Sequence, residues 1–91
     1  MIRRRYVFYG RVQGVGFRAF CLDAAMALCV RGWVRNLPDG SVEMEAEAAP
    51  PVLEDLLRRV RTGHPWARVE HVQAIDVASK RDDSEGFDVT F

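Results

Sequence analysis

Long apolar runs are missing from this sequence. The longest, Ala24 to Val30, covers seven residues, far short of the ~20 that carry a helix across a bilayer. Met1-Ile2-Arg3-Arg4-Arg5 has the basic opening of a signal peptide, but Arg11 follows after only Tyr6-Val7-Phe8-Tyr9-Gly10. No apolar segment or cleavage site is present, so the expected location is the cytoplasm and no membrane partner is expected. Net charge is also missing: 13 basic and 13 acidic side chains cancel, which argues against a general nucleic-acid binder. Cysteine is scarce. Cys21 and Cys29 would lie about 12 Å apart on one helix, beyond the ~7 Å reach of a disulfide. Both read as small apolar core residues in a reducing compartment. His64 and His71 have no third ligand in view, so no metal site is expected. Repeats and linkers are absent.

What is present is an ordinary globular composition. With 91 residues, 48% hydrophobic and 29% charged, the chain supports one domain, residues 1–91, with a modest core. Its charge is unevenly placed. Residues 1–36 carry seven arginines against Asp23 alone, while residues 37–91 carry six basic and twelve acidic groups. A basic first third suits a small anionic ligand.

Tyr6 to Val12 alternates as a strand, with Arg3-Arg4-Arg5 read as its solvated leader. Gly14-Val15-Gly16 breaks it. Phe17, Phe20, Cys21, Ala24, Ala25 and Leu28 then recur at helical spacing, and Leu22, Met26 and Cys29 extend the face, predicting a well-buried helix. A strand from Arg31 to Asn36, the turn Leu37-Pro38-Asp39-Gly40 and a strand from Val42 to Ala48 form a hairpin. In the second of these strands Glu43, Glu45 and Glu47 read as an acidic outer face. Pro50-Pro51 opens a second helix with Leu53, Leu56, Leu57 and Val60 on one side. On its other side Glu54 is expected to face Arg58, and Asp55 to face Arg59. Gly63 and Pro65 end it. Arg68 to Val77 is a strand whose apolar phase changes after Ala74, suggesting a bulge there. A polar loop, Lys80 to Glu85, with an exposed Asp82-Asp83 pair, leads to a short strand at Phe87, Val89 and Phe91. The order βαββαβ with a short extra C-terminal strand predicts an α+β fold. Its architecture is a ferredoxin-like split βαβ sandwich, an antiparallel sheet with two helices on one face.

Two segments could carry chemistry. In Gln13-Gly14-Val15-Gly16-Phe17-Arg18 a strand enters a helix through two glycines, so that backbone N–H groups can converge on an anion. Arg18 in the first helical turn opposes the helix dipole unless an anion sits between them, and its guanidinium can grip a phosphate with two parallel bonds. A plain turn with a solvated arginine is the competing reading. Gly14-x-Gly16-x-x-Ala19 also fits a loose dinucleotide fingerprint, but a hairpin follows where a parallel strand ending in an acid is required. An RNA-recognition domain shares the topology, but three glutamates stand on its central strand. In the second segment, Asn36 sits where a strand enters a turn, where its simplest role is bonding to its own turn backbone. Cys21 and Cys29 have no activating base nearby.

Gly10-Arg11-Val12-Gln13-Gly14-Val15-Gly16-Phe17-Arg18 resembles the first signature of the acylphosphatases. Gly32-Trp33-Val34-Arg35-Asn36-Leu37-Pro38-Asp39-Gly40-Ser41-Val42-Glu43 resembles the second. The resemblance spans the chain, including Pro65-x-Ala67-x-Val69; His64 and Trp66 are where the sequence looks individual. It implies hydrolysis of acyl phosphates, the mixed anhydrides of a carboxylic acid and phosphate, by a monomer without metal or cofactor. It also implies phosphate binding by residues 13–18 with Arg18 as the key cation, water positioning by Asn36, and inorganic phosphate as product and competitive inhibitor. Asp39 and Glu43 belong to the turn and the strand beyond it, so no His, Asp or Glu stands at the active positions of either motif as general base, and an oxygen of the bound phosphate could accept the proton of water. A module of a larger carbamoyl-phosphate-handling protein, or a phosphate-sensing domain, remains as an alternative.

Overall fold

The computed structural model describes residues 1–79 and 86–90. The elements run β1 (Ile2–Arg11), α1 (Phe17–Ala27), β2 (Arg31–Asn36), β3 (Val42–Ala48), α2 (Pro50–Thr62), β4 (Arg68–Val77) and β5 (Phe87–Thr90). The expected polar loop at 80–85, with its Asp82-Asp83 pair, and the place of Phe91 lie outside the described residues.

The sheet order is β4-β1-β3-β2-β5. The first four strands pair antiparallel, and β5 joins β2 in parallel, making the sheet mixed. Alternation sends Tyr6, Phe8, Val34, Val42, Met44 and Ala46 to one face, where they meet Phe17, Cys21 and Ala25 of α1 and Leu53, Leu56 and Val60 of α2. Both helices therefore lie on one side, as the pattern predicts. Helix α1 is less buried than its spacing suggests: Met26 is 63% exposed and Leu22 is only partly covered. Cys29 lies past the helix end at φ 56° and is exposed, leaving Cys21 alone in the core. Burial pushes the Cys21 thiol up to about 12, so it is inert as a nucleophile at neutral pH.

The other face of the sheet overturns two expectations. Arg3 is no solvated leader but a residue of β1, 1% exposed, and Glu43, Glu45 and Glu47 are buried. The antiparallel register sets β3 between β1 and β2, so Glu43 and Glu47 each meet arginines from both sides, while Glu45 meets Arg3 of β1. Arg3 Nε donates to Glu45 at 2.5 Å, Arg31 to Glu47 at 2.6 Å and Arg35 to Glu43 at 2.7 Å. Arg5 also pairs with Glu43, and the Ser79 hydroxyl donates to Glu47 at 2.9 Å. The acidic face is thus neutralised by a charge ladder that no single element reveals.

Two smaller corrections follow from partners. Arg58 turns to Asp55 at 2.6 Å, which Arg59 also approaches at 3.3 Å, so Asp55 holds both arginines and Glu54 is not Arg58's partner. The irregularity in β4 lies opposite Tyr9 and Gly10, where Glu70 is left out of the register. No bulge is needed after Ala74, because this edge strand leaves Ile75 55% exposed.

The ladder sets a pH dependence. Burial alone would push the Glu43 carboxyl up, but the hydrogen bonds and charges of Arg5 and Arg35 carry it below its ordinary value. A lowered folded value stabilises the protein above the unfolded carboxylate range, about 4.3, and that contribution is lost as pH falls through the folded value. The expected result is a urea midpoint that drops as pH falls below that range. Glu43→Gln should be less stable at neutral pH and show a shallower drop; parallel curves for the two proteins would remove Glu43 from the account.

Candidate active site

Residues 12–18 turn β1 into α1. Val12 and Phe17 are buried, and Phe17 meets Phe8 edge-on at 5.4 Å, so both ends of the loop are anchored in the core. Between them Gly14 and Gly16 adopt φ 75° and 76°, left-handed values that strain any side chain. Gly16 is the N-cap, and no side chain caps α1. The first intrahelical bond runs from Phe20 N–H to Gly16 O at 3.1 Å, which leaves the earlier amides of the helix without a turn to bond.

These residues border a depression of about 290 Å³, lined by Gln13, Gly14, Gly16, Phe17, Arg18 and Asn36, with Val12, Ala19, Leu22 and Val89 completing the wall. The structure thus brings Arg18 and Asn36, 18 positions apart in sequence, to one site. Of the expected loop residues, Val15 borders the adjoining depression. Among the described residues, none of the lining side chains is a carboxylate, histidine or cysteine.

Each polar residue is held by a different element. Arg18 Nη1 donates to the Thr90 carbonyl in β5 at 3.1 Å, which aims the guanidinium across the mouth of the loop. Gln13 Nε2 donates to the carbonyls of Leu37 at 2.8 Å and Ser41 at 2.9 Å, tying the loop to the turn that follows Asn36. Asp39 Oδ1 accepts from Ser41 N–H at 2.9 Å and from the Ser41 hydroxyl at 2.5 Å, and these bonds hold its carboxyl below its ordinary value. The turn-bonding role expected of Asn36 is therefore filled by Asp39. Asn36 Oδ1 is buried with no hydrogen-bond partner among the described residues. A buried acceptor left unbonded costs about 1–3 kcal/mol.

The sequence pattern of the acylphosphatase family matches residues 4–89. The chain belongs to the acylphosphatase family. It is 51% identical over 80 residues to an acylphosphatase of Salinibacter ruber, covering 88% of this chain and 83% of that one. With an acylphosphatase of Anaeromyxobacter dehalogenans it shares 42% over 90 residues, covering 99% and 96%. The crystal structure of acylphosphatase from Bacillus subtilis superposes with a TM-score of 0.92 at 33% identity, covering all of both chains. The protein is accordingly an enzyme of the acylphosphatase family, a hydrolase, and the family implies a small-molecule acyl phosphate as substrate.

Three parts of this acylphosphatase site escape a reading of the sequence. Thr90 acts through a backbone carbonyl, which no side-chain pattern announces. The side chain of Gln13, as opposed to its amide, joins the two motifs. His64 packs under the loop, tilted against Phe17 at 6.5 Å and edge-on to Phe20 at 5.2 Å. Only the Asp39-x-Ser41 spacing carried a usable signal, since Asp commonly bonds the backbone two residues on.

Proposed function

We propose that residues 13–18 cradle the phosphate of an acyl phosphate, that Arg18 neutralises and orients it, and that Asn36 holds the attacking water. The observation that carries this reading is the buried Asn36 Oδ1, without a hydrogen-bond partner among the described residues, on the same depression as Arg18. In the proposed step the water oxygen attacks phosphorus while Asn36 Oδ1 accepts a hydrogen bond from one of its O–H groups. The bond from phosphorus to the acyl oxygen breaks, and the carboxylate leaves with its electron pair. A phosphoryl oxygen takes the water proton, since no lining side chain among the described residues is a carboxylate or histidine that could act as base. Phosphoryl transfer to water asks mainly for positioning and charge stabilisation, and a carboxylate is already a good leaving group.

The donor set, a guanidinium and backbone amides, suits an anion, so the reaction proposed needs neither metal nor cofactor. Turnover of an aryl acyl phosphate should survive EDTA, and inorganic phosphate should inhibit competitively. Activity lost to EDTA and restored by Mg²⁺ or Zn²⁺, or purely noncompetitive inhibition, would overturn the reading. We further propose that residues 1–91 act as one catalytic unit, a monomer in the cytoplasm.

Gln13 is a positioning residue in this scheme. Gln13→Ala removes both bonds between loop and turn, and a displacement of about 1 Å costs up to ~10²-fold in rate. The expected outcome is a kcat about tenfold lower, with phosphate inhibition changed less than threefold, because the cradle amides and Arg18 remain. Equal losses in both would place Gln13 in the cradle itself.

A further inference from the structure

A second depression, of about 620 Å³, adjoins the first and is lined by Arg11, Gly14, Val15, Pro65 and Trp66. The two share Gly14, and the space where its side chain would stand is open, so no side chain of that residue separates them. Trp66 is 74% exposed, yet its surroundings are ordered from below. His64 Nδ1 accepts from the N–H groups of Trp66 at 3.1 Å and Ala67 at 3.0 Å, fixing the turn that carries the indole. The same imidazole lies edge-on to the Trp66 ring at 6.1 Å. The other large apolar side chains left exposed among the described residues, Met1, Met26 and Ile75, do not line either depression. Among the described residues no acidic side chain lines this one, and Arg11 adds a cation that suits an anionic substrate.

We propose that Trp66, braced by His64, is the platform on which the acyl half of the substrate rests, and that it selects acyl phosphates with a planar aromatic acyl group. The inference rests on the cradle reading above, since a phosphate seated in the first depression places its acyl substituent across Gly14. An aromatic acyl group then stacks on the indole face, whereas an acetyl group is too small to cover it. Stacking of this kind is worth a few-fold to about tenfold in selectivity.

The test compares benzoyl phosphate with acetyl phosphate in wild type, Trp66→Ala and Trp66→Phe. Because Trp66 is exposed, both variants should fold. The ratio of kcat/KM values, benzoyl over acetyl, should fall roughly five- to tenfold in Trp66→Ala and be largely kept in Trp66→Phe. The inhibition constant for inorganic phosphate should stay within twofold. An unchanged ratio in Trp66→Ala, or a fall shared by both substrates and by phosphate affinity, would overturn the proposal. Binding of phenacylphosphonate and acetonylphosphonate, in which CH₂ replaces the bridging oxygen, gives a readout free of turnover. Failure of the cradle reading would appear as absent phosphate competition in wild type. Even then, a preference for phenacylphosphonate that Trp66→Ala abolishes would uphold the aromatic platform, and its absence would end it.

Discussion

Arg18→Ala should lower kcat/KM for an acyl phosphate by on the order of 10³-fold, within the range for removing a charge that stabilises a transferring phosphoryl group. Phosphate inhibition should weaken with it, because in the proposed cradle the same guanidinium binds product. Folding should persist: the side chain lies at the edge of the core, and its bond to the Thr90 carbonyl is worth about 1 kcal/mol. Arg18→Lys should recover less than about tenfold of the lost activity. Lysine keeps the charge but lacks the planar fork that grips a phosphate with two parallel bonds in fixed geometry. Steady-state kinetics with urea melts on the three proteins decide the matter. Wild-type turnover in the lysine variant would reduce Arg18 to a point charge.

Asn36→Ala should lower kcat by about 10²-fold or more if Asn36 holds the water as proposed, since a nucleophile that is no longer held forfeits its proximity advantage. Its effect on stability has the opposite sign from that of an ordinary turn residue. Asp39 already bonds the turn, and Asn36 Oδ1 has no partner among the described residues. Deleting it should leave the urea midpoint unchanged or slightly raised, the signature of a group kept for function at the expense of the fold. The inhibition constant for phosphate should hold, as Arg18 and the loop amides are untouched. Asn36→Asp is the sharper partner: it keeps the size but sets a negative charge beside an anion, so phosphate affinity and turnover should fall together. A folded Asn36→Ala protein that retains most of its kcat would end the proposed role.

The legible parts of the fold were those carried by local periodicity. Alternation in β1 and β3 and the helical spacing of Phe17, Cys21 and Ala24 gave the elements, and their order gave the architecture. Arg18 stood out in the sequence because a cation at a helix start breaks a local expectation; Asn36 at the entry to a turn breaks none, and only the resemblance of its segment singled it out. What could not be read was every feature whose partner lies far along the chain. Arg3 looked solvated because arginine is usually exposed, and its acceptor Glu45 is 42 residues away. Arg18 meets Thr90 across 72 residues, through a strand whose parallel pairing with β2 no alternation encodes. Met26 shows the converse limit. Spacing placed it on the buried side of α1, but the buried residues of that helix are Phe17, Cys21, Ala24 and Ala25, and the stripe they form does not extend to it.

The arginine–glutamate ladder also constrains how this sequence can drift. Glu43 is shared by Arg5 and Arg35, and Glu47 by Arg31, Arg3 and Ser79. Loss of Arg5 or Arg35, whose side chains are 38% and 45% exposed, leaves Glu43 with its second cation. Loss of Glu43 instead strands two arginines at once. Removing one member of a buried pair costs about 3–5 kcal/mol, whereas exchanging the whole set for apolar residues is often neutral. Substitutions on this face are therefore order-dependent: the outer arginines are free to change first, the central glutamates only after them. Arg3, wholly buried against Glu45 and Glu47, can change only in company with its partners.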